Sequence, residues 1–193
     1  FTMSRPEVPV APMQAAEAAF EEHGAKRTLT GPAALLVAGI ALAFSSFQIV
    51  IAAFSPLSSL PTRSIHVGFL VALALLVHPV SRRANRNRIA WYDALLAAIA
   101  FGLALYHLIF EADLVVRSGD PTTADLVVGT LFVVLLFDAS RRVLGPALPI
   151  ICGAFLLYGL FGQHLPAAVA HRGYGFDQIV NQLFLGTEGV FGI

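Results

Sequence analysis

The residues of this chain with chemical potential are few, and they sit at the edges of long apolar runs. Asp138 stands one helical turn before Arg141 and Arg142. That spacing opens i,i+3 and i,i+4 pairing, which lowers the cost of a carboxylate close to an apolar segment. The group reads as a structural anchor, with a part in coupling or partner contact as the alternative. Asp93 can similarly be drawn towards the cluster Arg82, Arg83, Arg86 and Arg88. The stretch Arg117-Ser-Gly-Asp-Pro-Thr-Thr-Ala-Asp125 combines a cation, a glycine turn and a helix start. It predicts a specified turn closed by an Arg-to-Asp clamp, with docking of a periplasmic partner as the second reading. Asp120 is the expected N-cap of the following helix, with Pro121 at its first position.

His66 and His107 fall near corresponding ends of two apolar runs. A facing histidine pair could ligate a haem in a helix bundle. The other reading is two separate bundle-facing histidines, since no spacing directs both to one axis. There is no phosphate-cradling glycine loop, nucleophile elbow or His-Glu-x-x-His spacing, so enzymatic chemistry and a bound cofactor are not expected. The single cysteine, Cys152, lies in an apolar run and precludes an internal disulfide or a thiolate zinc cluster built from this chain alone.

These residues must be positioned by elements that need lipid. Hydrophobic residues make up 57% of the chain and charged residues 12%, against roughly 45–50% and about 25% in soluble domains. The bilayer is therefore the first expected partner. A net charge of +0 supplies no general field for nucleic acid.

A crossing helix needs about 20 apolar residues, and five stretches qualify: Pro32 to Phe54, Ile65 to Val80, Trp91 to Phe110, Leu126 through Phe137 towards Leu144, and Ala147 to Leu165. Pro56 and Pro61 are expected to break the chain between the first two, and Gly145-Pro146 to stop the fourth. The connection after the fourth is so short that the fifth must pack antiparallel against it. The fold class is thus an all-α membrane bundle of about five spans. A polar start that does not resemble a cleaved signal peptide precedes it, read as a disordered beginning followed by a short N-terminal surface helix, Gln14 to His23, with a solvated tail as the alternative. Beyond Pro166, Phe176, Ile179, Val180 and Leu183 recur at helical spacing opposite Asp177, Gln178, Asn181 and Gln182, predicting an interfacial amphipathic helix. Gly189 to Ile193 reads as an interrupted apolar element.

Short loops carry Arg5, Lys26, Arg27, Arg82, Arg83, Arg86, Arg88, Arg141 and Arg142 on one side, and only Arg63, Arg117 and Arg172 on the other. The amino terminus is accordingly expected in the cytoplasm.

Six segments together resemble the fused permeases of TRAP transporters of the TAXI branch, over nearly the whole chain. They are Arg63-Ser-Ile-His-Val-Gly-Phe, Arg117-x-Gly-x-Pro-Thr-x-x-Asp125-x-x-x-Gly129, Asp138-Ala-Ser-Arg-Arg-Val-Leu-Gly145, Tyr158-Gly, His171-Arg172-Gly-Tyr-Gly, and Gly186-Thr-Glu188-Gly189-Val-Phe-Gly192. Where the family usually carries Glu before the Arg-Arg pair, this chain carries the shorter Asp138.

The resemblance implies a bacterial inner-membrane protein with a cytoplasmic tail over 1–31 and a small-subunit-like scaffold over 32–145. It implies that 146–193 is the start of a large-subunit-like region, with Gly186 and Gly189 matching a hairpin-entry motif. The implied partners are the remainder of a large permease subunit and a periplasmic substrate-binding protein delivering organic anions. A chain of this content is then not competent for transport alone. The alternative is a TRAP-like protein recruited as a structural transmembrane subunit of another membrane complex.

Overall fold

A computed structural model of the chain describes residues 26–81, 84–117 and 119–192. The expected helix over residues 14–23 lies outside them, as do Arg5, Arg82 and Arg83. The described residues are helical with no strand, and five helices are long and apolar enough to cross a membrane. The protein is an all-α, multi-pass membrane bundle.

Helix α1, Gly31–Phe54, starts with Pro32 in its first turn, where a missing N–H costs no intrahelical bond, and ends at Ser55 in the left-handed region. Helix α2, Ser59–Val77, begins six residues ahead of the expected Ile65. Pro61 does not break the chain: it occupies the first turn of α2, for the same reason that Pro32 is tolerated in α1. His78-Pro79 closes α2, because the residue before a proline is pushed out of the helical region.

The third span is interrupted at Leu105, dividing into α3, Trp91–Ala104, and the single turn α4, Tyr106–Ile109, after which α5, Glu111–Val116, runs into the loop. Helix α6, Thr123–Leu144, ends at Gly145, whose φ of 84° is open to glycine without strain. Helix α7, Ala147–Phe161, follows and tightens into a 3₁₀ turn, Gly162–His164. The last helix, α8, is Phe176–Val180, continued by a π turn, Asn181–Leu185.

Helices in lipid gain little by hiding apolar surface, so close packing must hold them together. In α2 and α3 the contact is lined by Gly68, Ala72, Ala97, Ala100 and Ala104, all buried. A Cβ on Gly68 would stand 2.5 Å from the Ala104 Cβ, which sets the approach. Phe132, Leu135 and Ala139 of α6 complete this core. Helix α1 lies to one side, touching α2 through Phe44, which stacks on Phe69 at 5.2 Å between ring centroids.

The segment after Pro166 has the expected polar side, with Asp177, Gln178 and Gln182 exposed. Its other side is anchored more deeply than periodicity alone indicates. Val180 and Phe184 pack on Gly129 of α6, where a Cβ would stand 2.7 Å from Val180 Cγ1. Phe191, from the stretch read as interrupted, folds back into the same core and is 1% exposed.

Candidate functional site

Two buried polar groups sit at opposite ends of the third span, α3 with α4, where it meets α6. The first is built around Asp93, in the opening turn of α3. Arg142, in the last turn of α6, donates from Nη1 to Asp93 Oδ1 at 2.7 Å, and both side chains are fully buried. Arg27, in the segment ahead of α1, donates to the other Asp93 oxygen and, through Nη1, to the Leu76 carbonyl at 2.7 Å. Its own backbone N–H donates to the Val77 carbonyl at 2.9 Å. Among the described residues Asp93 thus takes its two guanidinium partners from Arg27 and Arg142, while Arg82 and Arg83 of the expected cluster lie outside them.

The predicted Asp138 pairing extends this group. Arg141 Nη2 donates to Asp138 Oδ1 at 2.6 Å, and Arg142 Nε donates to Oδ2 at 2.8 Å. Arg142 also donates to the His78 carbonyl at 3.2 Å. The chain of contacts Arg27, Asp93, Arg142, Asp138, Arg141 joins the pre-α1 segment, α2, α3 and α6. Among the described residues, two carboxylates hold three guanidinium groups, of which Arg27 and Arg142 are fully buried and Arg141 is partly in solvent. His78, just beyond α2, is pushed below the ordinary histidine value by burial, while its Nδ1 donates to the Ala74 carbonyl; the nearby Lys26, Arg142 and Arg27 add to the lowering.

The second group closes the other end. Arg117 grips Asp125 with Nε to Oδ2 and Nη2 to Oδ1, each at 2.9 Å. Tyr106 donates its hydroxyl to Oδ1 at 2.5 Å. Asp125 is wholly buried and also takes the Thr122 N–H at 2.8 Å and the Thr122 hydroxyl at 2.7 Å. Hydrogen bonding to Asp125 holds the Arg117 guanidinium above its usual value, so the clamp stays charged.

The N-cap of α6 is Thr122 and not Asp120. Thr122 and Asp125 satisfy each other's backbone N–H groups reciprocally, a capping box that an aspartate two residues earlier cannot form. Asp120 stays exposed in the loop.

Neither a protein-family model, a curated protein nor a solved structure matches this chain.

The remaining motif residues fold the chain after α7 back onto it. His171 accepts the Gly173 N–H at Nδ1, 3.0 Å, so its proton is on Nε2, which donates to the Tyr158 carbonyl at 2.9 Å. The Tyr158 hydroxyl donates to the Val169 carbonyl at 2.9 Å. A Cβ on Gly162 would run into the His171 ring. Arg172 is exposed beside a cleft of about 460 Å³ that it shares with Tyr174 and Asp177.

Gly186 donates to the Asn181 carbonyl at 2.9 Å, and Val190 to the Leu183 carbonyl at 2.8 Å. A Cβ on Gly189 would strike the backbone at Gln182 and Leu183, so glycine is required for that reversal. Glu188 is exposed and accepts a hydrogen bond from the Thr187 hydroxyl at 3.2 Å.

The two histidines are engaged separately. Gln48 donates to His66 Nδ1. Ser64 uses its hydroxyl proton on the Ala104 carbonyl at 2.6 Å, so His107 Nδ1, 3.0 Å away, donates to the Ser64 oxygen. His107 is covered by Phe184 and Phe191. Among the described residues no three His, Cys, Asp or Glu side chains cluster as metal ligands.

Arg27, Tyr106 and Thr122 were not singled out by sequence reasoning. Arg27 reads as one more topological charge beside Lys26, and Tyr106 as one more aromatic of its span. Thr122 carried a usable signal, since Thr-x-x-Asp is a capping pattern.

Proposed function

We propose that this chain forms the fixed scaffold region of a TRAP-type permease of the TAXI branch, serving organic anions in the bacterial inner membrane. The reading places residues 26–30 on the cytoplasmic side, where Lys26, Arg27, Arg86, Arg88, Arg141 and Arg142 gather. The observation that carries it is the tying of the third span to α6 at both ends by buried carboxylates, Asp93 in α3 bonded to Arg142 of α6, and Asp125 of α6 bonded to Tyr106 of α4 and to Arg117. A scaffold against which another domain moves must keep its own helices in register.

The motifs behind the resemblance serve such holding roles. Asp138 with its arginines makes part of one tie, Arg117 with Asp125 makes the other, His171 returns the loop to α7, and Gly186 and Gly189 reverse the chain. Asp138 in place of the family's Glu keeps both arginine contacts. In this role the scaffold does not transport alone. Substrate and coupling-ion sites belong to the remainder of a large subunit, fed by a periplasmic binding protein.

A second reading is a structural subunit of another membrane complex. It is favoured by α1 and α7, neither of which has a fully buried residue among the described residues, leaving most of both surfaces open to foreign contacts. Affinity purification from native membranes separates the two. Recovery of large-subunit sequence and a periplasmic binding protein supports the scaffold; recovery of an unrelated assembly supports the second reading. Anion uptake by liposomes containing only this chain and a binding protein would overturn the scaffold assignment.

A further inference from the structure

Between α1 and α3 runs a groove of about 310 Å³, floored by α2. Leu36 and Ile40 form one wall, Phe69 and Leu76 the floor, and Ala94 and Ala98 the other wall. All three helices are membrane spans, so the groove opens to hydrocarbon and not to water. The alanines of α3 leave the space. Its volume is at the small end of ligand cavities and suits a single extended chain, not a helix roughly 10–12 Å across.

One end of the groove meets the Asp93 group. The Leu76 carbonyl accepts from Arg27, and Ala94 directly follows Asp93. The two carboxylates there are consumed, Asp93 by Arg27 and Arg142, and Asp138 by Arg141 and Arg142. Lys26 neighbours Arg27. Arg86 is drawn to the same place, because its carbonyl accepts the Thr28 N–H at 3.0 Å, and Arg88 lies just before α3. Lys26, Arg86 and Arg88 are exposed and have no acidic partner among the described residues. An apolar slot in hydrocarbon thus ends beneath three uncompensated cations.

We infer that this groove is a binding site for one anionic phospholipid, with an acyl chain between α1 and α3 and its phosphate headgroup on Lys26, Arg86 and Arg88. Basic surfaces at the ends of membrane helices attract anionic headgroups, and the slot adds a requirement for the chain. The site stands independently of the transporter reading.

Native mass spectrometry of the full delipidated chain tests it, with phosphatidylglycerol, phosphatidylcholine of identical chains, and glycerophosphoglycerol as probes. One phosphatidylglycerol should be retained per chain at a concentration at least tenfold lower than phosphatidylcholine, with glycerophosphoglycerol unable to compete. The Lys26→Gln/Arg86→Gln/Arg88→Gln variant changes only exposed side chains and should lose that preference. Ala98→Phe, or Ala94→Leu, fills the slot and should weaken both lipids about tenfold, with helix content and melting checked in parallel. Equal retention of the two lipids by the unaltered chain overturns the site. So does an undiminished preference in the triple variant, effective competition by glycerophosphoglycerol, or unchanged lipid binding in both groove-filling variants.

Discussion

Arg142 Nη1 lies 2.7 Å from Asp93 Oδ1 with neither side chain exposed, joining the last turn of α6 to the first turn of α3. Such a pair is weak evidence of net stabilisation, because desolvation offsets much of the attraction. Its removal is another matter. Asp93→Asn strands two buried guanidinium groups, Arg27 and Arg142, and should cost about 3–5 kcal/mol in denaturant unfolding of the detergent-solubilised protein.

Asp138→Asn should cost less, about 1 kcal/mol, because Asp138 and its partner Arg141 are 25% and 44% exposed, so solvent screens that pair, and its other partner, the buried Arg142, keeps Asp93. A double-mutant cycle between Asp93 and Asp138 should show coupling, since both act on Arg142.

At the opposite end, Thr122→Ala removes one half of the capping box and should cost about 1 kcal/mol. Asp125→Asn should cost more, because it leaves Arg117 without its carboxylate and weakens the Tyr106 hydrogen bond. Hydrogen exchange should report the loss as faster opening of the first turn of α6.

The segment from Phe176 to Phe191 was legible as amphipathic, yet its burial was not. Period 3.6 identifies a polar face; it does not reveal that Gly129 offers a notch for Val180 and Phe184. Gly129→Val should displace that segment and raise hydrogen exchange over residues 176–191, leaving α3 protected.

His78 gives stability a pH dependence of known sign. Its folded-state value is lowered, so below about pH 6.5 the unfolded chain binds a proton that the folded chain refuses. Its contribution is complete above that pH and declines as pH falls through the window towards the folded value. His78→Asn should flatten the slope of unfolding free energy between neutral and mildly acidic pH.

The spans themselves were legible because a lipid-crossing helix writes its length directly into the sequence. So were the Asp138 and Arg117 contacts, whose partners lie within eight residues. Arg27 and Asp93 were not, being 66 residues apart and brought together only when α2 packs on α3. Ser59 as the start of α2 is not legible because Pro61 signals a break in sequence, although proline is harmless in a first turn where no N–H is needed.

The third span, α3 with α4, and α6 form one fixed unit, held by Asp93 at one end and by Asp125 with Tyr106 and Arg117 at the other. Spin labels at the exposed positions Leu95 and Leu131, in a Cys152→Ser background, measure it directly by pulsed electron resonance. A single narrow distance that broadens in the Asp93→Asn/Asp125→Asn variant is the predicted result. A broad or two-peaked distribution in the chain with both carboxylates intact would contradict the account.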